Sequence, residues 1–230
     1  MIASPLTSVA LFHLGPVPIT TGVVTTWALM GVLVLGGALV SRRLSLVPSA
    51  RQAFFELIVD TVDSQIRDTM RVEPGPYRAF IGTLFIFIFV ANWTTLLPGI
   101  EPPTAHLETD AALAILVFVA VIWFGIRAGG VRGYLATFAT PSPIMIPLNF
   151  LESLTRTFSL LVRLFGNVMS GVFVIGIVLS LAGLLVPIPL MALDLLTGAV
   201  QAYIFAILAM VFIAGTLHEG PPAPDPRKPS

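Results

Sequence analysis

"NFLESLTRTFSLLVRLFGNVMSGVFVIGIVLSLAGLL", residues 149 to 185, decides the architecture. If helical, it extends about 55 Å at 1.5 Å per residue, against a bilayer hydrocarbon core of roughly 30 Å. Between Arg156 and Asp194 the only formally charged side chain is Arg163. A guanidinium is not discharged at ordinary pH, and the centre of a bilayer costs it roughly 3 kcal/mol even on the milder insertion scales. The apolar region runs from Ile144 to Leu217 and is interrupted at "GLLVPIP", Gly183 to Pro189. Pro187 and Pro189 fit no helix interior, so this interruption reads as a turn. The returning segment, Ile188 to Leu217, is about 45 Å long if helical. Ordinary tilt, about 20°, absorbs little of either excess. Both helices are therefore expected to run steeply inclined, as a broad wall facing something beside them.

The rest of the chain is also apolar. Of 230 residues, 56% are hydrophobic and 10% charged, where a soluble domain carries roughly 25% charged; the mean hydropathy is +0.96. Ile19–Val40, Tyr77–Leu97 and Leu107–Arg127 are each long enough to cross a bilayer, which takes about 20 residues. Between the first two, "SARQAFFELIVDTVDSQIRDTMR" sets Phe55, Ile58, Val59, Val62, Ile66 and Met70 at helical spacing, with Glu56, Asp60, Asp63 and Arg67 on the other face. That pattern predicts an amphipathic helix lying on the membrane surface or against a partner. The expected fold is an all-α integral membrane protein, residues 1–230 as a single membrane domain. Its parts are a first span over 19–41, the amphipathic helix over 49–71, spans over 77–98 and 107–127, the inclined hairpin of 149–185 and 188–218, and a tail over 219–230.

The net charge of zero gives no sign of nucleic-acid binding, and the absence of cysteine excludes disulfides and thiolate metal sites. No cofactor or metal is expected. The N-terminal stretch lacks the basic region of a signal peptide, which suggests insertion of the whole chain as in a bacterial inner membrane. Arg42, Arg43, Arg51, Arg67, Arg71 and Arg78 flank the amphipathic helix; Arg127, Arg132 and Arg156 fall in the next loop on that side; Arg227 and Lys228 are in the tail. The positive-inside rule then places the N-terminus outside, the C-terminus in the cytoplasm, and all twelve Lys and Arg but Arg163 on the cytoplasmic side.

Polar residues on the hairpin are few and spaced. Ser159, Arg163, Asn167 and Ser170 share one helical face, with Gly166 beside it, and Asp194, Thr197, Gly198 and Gln201 do the same on the return. Small and polar residues also serve plain helix packing in membranes, an equal reading for Ser159, Thr197 and the glycines. An intramembrane arginine needs more: a partner or a water-filled cavity. A structural Arg163–Asp194 pair is one option, though the two stand at very different distances from the Pro187 turn.

Several blocks are similar to the membrane subunit a of F-type ATP synthases. "SLLVRLFGNVMSG" resembles that family's Ser-Leu-x-x-Arg-Leu-Phe-Gly-Asn signature, and "GAVQAYIFAILAMVFI" its last helix, with Gln-Ala-x-Ile-Phe at Gln201 to Phe205. "TTWALMGVLVL", "FIGTLFIFIFVANWTTLLPG" and "PPTAHLETDAALA" resemble its first span, second span and external loop. The resemblance implies a stator subunit set in lipid against a ring of c subunits, held by b-type peripheral stalk subunits and working with the rest of the complex. It implies two offset ion half-channels, with Arg163 as the essential charge between them and Gln201 its neighbour. Ser159, Gly166 and Ser170 would face the ring, Asn167 the external half-channel, and Glu152 the exit. For Glu152 a solvated interfacial carboxylate is an equal reading.

Two departures matter. Where many members carry an acid just after the Gly-Asn element, this chain has Gly171 and Val172, and the facing position on the last helix is Asp194. The expectation is that the titratable group has moved across the hairpin to Asp194. In the loop, the usual Thr-Ala-Asp reads Thr104-Ala105-His106, followed by Glu108, so that His106 and Glu108 are candidates for the channel mouth, with a merely solvated histidine as the alternative. No Gly-x4-Gly-Lys-Ser/Thr loop occurs, so nucleotide chemistry would belong to other subunits. A stand-alone channel or secondary transporter is the rival reading; one arginine beside one acid, without inverted repeats, is thin equipment for it. Proton and sodium coupling are both compatible with these residues.

Overall fold

The computed structural model describes residues 10–14, 17–41, 50–96, 102–138, 143–183 and 186–218. The order is β1 (Ala10–Leu14), β2 (Val17–Thr20), α1 (Thr21–Ser41), α2 (Ala50–Met70), α3 (Gly75–Trp93), α4 (Leu107–Phe138), α5 (Ile146–Ala182) and α6 (Pro187–His218), with single 3₁₀ turns at Thr94–Leu96, Pro103–Ala105 and Pro143–Met145. Five helices are long and apolar enough to cross a membrane: α1, α3, α4, α5 and α6. The helical membrane architecture read from the sequence is what the chain adopts. The small antiparallel β1–β2 hairpin ahead of α1 is an addition that hydropathy gave no reason to expect. Arg42, Arg43, Arg227 and Lys228, which entered the topology argument, lie outside the described residues, as does the tail.

Each helix shows why it sits where it does. On α3, Ile81, Leu84, Phe87, Ile88, Ala91 and Asn92 are buried, a stripe at helical period. It packs on α6, whose Ala202, Phe205, Ala206, Ala209 and Ile213 are buried in the same core. Between helices already in lipid this is packing of shape and small residues more than removal from water. α1 is the contrast: Val32, Val34, Leu35 and Leu39 are exposed, and it meets the core through Leu29 and the partly buried Leu33. α4 carries a break at Gly130 (φ 69°). Beyond it Tyr134 folds back so closely on Gly125 that a Cβ there would stand 2.6 Å from Tyr134 Cδ2.

α5 runs through as one helix of 37 residues and ends at Gly183, whose φ of 73° is the left-handed stop that favours glycine. Pro187 opens α6 and Pro189 lies in its first turn. There the missing N–H has no helical partner to lose, so the second proline lies within the helix and not in the turn.

α2 divides lengthwise. Phe54, Phe55, Leu57 and Val59 at its start are exposed, while Ile66 and Met70 at its end are buried against α3 and α6. Asp63, placed by periodicity on the polar face, is instead 5% exposed. It accepts a two-pronged ion pair from Nε and Nη2 of Arg78 on α3. This hydrogen bonding holds the Asp63 carboxyl below its ordinary value, outweighing burial. Tyr203 of α6 adds a bond from its hydroxyl to Gln65 Oε1 at 3.0 Å.

Candidate functional site

One face of α5 has no cover from the other described residues. Glu152, Arg156, Ser159, Arg163, Gly166 and Ser170 recur at i, i+4, i+7, i+11, i+14 and i+18, and all six are exposed. A Cβ built on Gly166 would meet nothing within 4 Å. Ser170 turns its hydroxyl back to the Asn167 carbonyl at 3.1 Å. The lower half of the stripe, from Glu152 to Arg163, forms an open groove of ≈ 290 Å³ with Leu208 and Phe212 of α6.

Inside this groove the charges are unequally treated. Arg156 pairs with Glu152 one turn back and lies over the Phe212 ring, 5.5 Å from its centroid. Arg163 has no ion pair or hydrogen bond among the described residues. A structural Arg163–Asp194 pair is not formed. Asp194 lies across from Gly171, so close that a Cβ on Gly171 would collide with its carboxyl. Gly171 is eight residues beyond Arg163 on α5, about 12 Å along the axis. Gln201, 7% exposed, is likewise not hydrogen-bonded to Arg163, and its Nε2 has no partner among the described residues. The same holds for Nδ2 of Asn167.

At the Leu107 end of α4, the connecting segment is folded in. Pro102, Pro103, Thr104 and Ala105 are buried, between α1, α3, α4 and α5. Thr104 donates to Asn92 Oδ1 at 2.7 Å, and Asn92 Nδ2 donates to the Gly198 carbonyl at 2.9 Å. Gly198 has to be small here, since a Cβ would stand 3.0 Å from Asn92 Cβ. One amide thus ties α3 to α6 and to the infolded segment. His106 packs against Gly22 of α1, and Glu108 is exposed; the two are not brought together by a hydrogen bond. Among the described residues no three His, Asp or Glu side chains converge as a metal site.

Sequence reasoning passed over Asn92, Thr104 and Asp110. Asn92 carried a usable signal, as the lone amide in the apolar run "FIFIFVANW", where an intramembrane polar group calls for a partner. Thr104 carried none, because its burial depends on the infolding of the whole segment.

A bare guanidinium on an exposed helical face, in a groove walled by Leu208 and Phe212, is suited to an anion brought from outside the chain. Neither nearby acid serves it: Glu152 is paired with Arg156, and Asp194 is about two turns away. The family pattern described as ATP synthase A chain matches residues 23–214. Among named relatives, ATP synthase subunit a 2 of Bradyrhizobium sp. is 57% identical over 217 residues, covering 94% of this chain and 97% of the relative. ATP synthase subunit a of Albidiferax ferrireducens is 47% identical, covering 89% of each. ATP synthase subunit a 1 of Chlorobaculum tepidum is 49% identical, covering 90% of this chain and 94% of the relative.

Proposed function

Because this chain belongs to the ATP synthase A chain family, we propose that it is the ion-translocating stator subunit of a rotary ATP synthase, with Arg163 acting on carboxylates that a c-ring carries past it. The observation that carries this reading is an arginine with no ion pair or hydrogen bond among the described residues, halfway along an exposed stripe of α5. Nucleotide chemistry belongs to other subunits, and the chain is a multi-pass protein of a bacterial inner membrane. We orient it with the N-terminus outside, so that the Glu152 end of the groove faces the cytoplasm.

In this mechanism a ring carboxylate crosses lipid neutralised by its ion and releases the ion before passing Arg163. The fixed cation favours the ionised carboxylate, and its charge opposes the direct passage of a cation between the two half-channels. Gly166, with open space where a side chain would be, and the small, exposed Ser159 and Ser170 beside it leave the ring room to approach. Asn167 and Gln201 supply amide donors, without a partner among the described residues, beside the path. On the outer side Asp194 takes the role of relay acid. Support for this comes from steric exclusion, since its carboxyl fills the space that an acid rooted at position 171 would need. On the inner side Glu152 hands ions to the cytoplasm, and its link to Arg156 keeps it at the groove wall. His106 and Glu108 stand near the outer entrance.

The test is Arg163→Ala in the complete complex reconstituted in liposomes. ATP synthesis driven by an ion gradient is expected to fall roughly 100-fold or more, the scale on which one preorganised stabilising group acts. Synthesis at the parental rate would overturn the reading.

A further inference from the structure

Two carboxyls among the described residues are buried, and only one has a partner. Asp63 is held by Arg78. Asp110 is 0% exposed, and neither of its oxygens has a hydrogen-bond partner among the described residues. It stands in the first turn of α4 and heads a buried stripe continued by Ala114, Val117 and Val121, at i+4, i+7 and i+11. Those three belong to one core with Leu160 and Leu164 of α5 and Ala202 of α6. The residues just before it form the infolded segment, with Thr104 fully buried and tied to Asn92. Asp110 is therefore not a loop acid in water.

Two further polar atoms in the helices packed on α4 also lack a partner among the described residues: Asn167 Nδ2 on α5 and Gln201 Nε2 on α6. These are donors, and the Asp110 oxygens are acceptors, yet no direct bond joins them. An enclosed carboxylate is tolerated when it is paired or holds a cation. Nothing about packing alone calls for an acid at this point, since the stripe it heads is otherwise Ala and Val.

We propose that Asp110 is a binding station for the coupling cation, a hard monovalent ion (a proton or sodium), on the outer ion path, with the infolded segment Pro102–Ala105 as its wall. The inference rests on the ion-translocating reading above and adds to it a residue that neither the arginine signature nor the hairpin contains. It places the outer path between α4 and the hairpin, deeper than His106 and Glu108.

The experiment uses the reconstituted complex with Asp110→Asn, Asp110→Glu and, separately, Arg163→Ala. ATP synthesis is measured against outer cation concentration, driven in one arm by a sodium gradient and in the other by a proton gradient. In the arm that couples, Asp110→Asn is expected to raise the half-saturating concentration roughly 10-fold or more, as loss of a charged bond does. The maximal rate should return at saturation, and Asp110→Glu should restore the affinity. An unshifted half-saturating concentration overturns the proposal. If Arg163→Ala abolishes coupling at the same time, the function stands and only the station falls; if Arg163→Ala has no effect, the function itself falls. Should Asp110→Asn fail to assemble, the absence of cysteine from this chain allows Ala114→Cys, the next position on the stripe. Silver ions added from outside are then expected to inhibit that complex and not its parent. Equal rates with and without silver overturn the proposal.

Discussion

The α2–α3 junction and the α5–α6 hairpin each contain an arginine and an acid, and they use them in opposite ways. At the junction Asp63 and Arg78 neutralise each other through two hydrogen bonds, and the acid is buried as a result. On the hairpin Arg163 and Asp194 are kept about 12 Å apart along α5, the arginine exposed on a face without cover and the acid against Gly171. The junction pair is a fastening between helices. The hairpin pair stays unmade, which leaves both groups available to something arriving from outside the chain. Changes at the junction should therefore cost stability and little activity, and changes at the hairpin the reverse.

The largest effect belongs to Arg163. Alongside the roughly 100-fold loss of coupled synthesis, Arg163→Ala should leave the melting temperature of the purified chain unchanged or slightly raised, because no ion pair or hydrogen bond among the described residues is lost. A marked drop in melting temperature would break the comparison by showing that Arg163 also fastens.

The next effect comes from moving the acid. Gly171→Asp alone puts a second carboxyl into the space that Asp194 fills, adding collision and like-charge repulsion. ATP-driven ion uptake should fall by roughly 10² or more, as for loss of a general acid–base group. Combining it with Asp194→Gly relieves both faults and returns one acid to the cavity from the opposite helix. Uptake in the double variant is expected to recover most of the loss. Equal inactivity of single and double variants would mean that the helix carrying the acid matters and not only the place its carboxyl occupies.

These contrasts mark what could be read from the sequence. The five long apolar helices follow from hydropathy and length, and the lone Arg163 announces itself because a bilayer tolerates so few charges. Asp63 misled, since an acid on an amphipathic helix reads as solvated by its charge, although its spacing of i+3 and i+7 to Ile66 and Met70 puts it on their buried face. Its true partner, Arg78, is 15 residues away on another helix, where no local period reaches. The infolded Pro102–Ala105 segment was illegible for a similar reason. Polar and proline-rich composition signals a loop, and only the packing of α1, α3 and α5 around it makes it interior. Asp194 stood out as an acid in an apolar run, but its contact with Gly171 is a matter of helix phase that spacing alone does not fix.

Asn92 lies between the two regions, because it fastens α3 to the hairpin through Gly198. Asn92→Ala removes two hydrogen bonds and leaves the Thr104 hydroxyl buried without its acceptor. The cost should be about 1 kcal/mol, seen as a lower melting temperature together with a severalfold slower ion uptake, since the same bond positions α6, the helix that carries Asp194. Loss of stability with uptake unchanged would make Asn92 a fastening of the Asp63 kind.

The smallest functional effect is expected at Asp63. Asp63→Asn leaves Arg78 without its counter-charge, while the α2–α3 contacts through Ile66 and Met70 remain. The melting temperature should fall by a few degrees at pH 7, with coupled synthesis near the parental rate. The pH dependence gives the sharper reading. The Asp63 carboxyl is held below its ordinary value of 3.8 in the folded chain, so the unfolded chain binds its proton first as pH falls. Its contribution is therefore fully present above about pH 4 and is lost as pH drops through the lowered folded value. The gap between parent and Asp63→Asn melting curves should stay constant from pH 7 to about pH 5 and close below about pH 4. A gap that instead closes between pH 7 and pH 6 would mean that the carboxyl titrates above its ordinary value, and the junction would then resemble the hairpin in leaving its charges poorly satisfied.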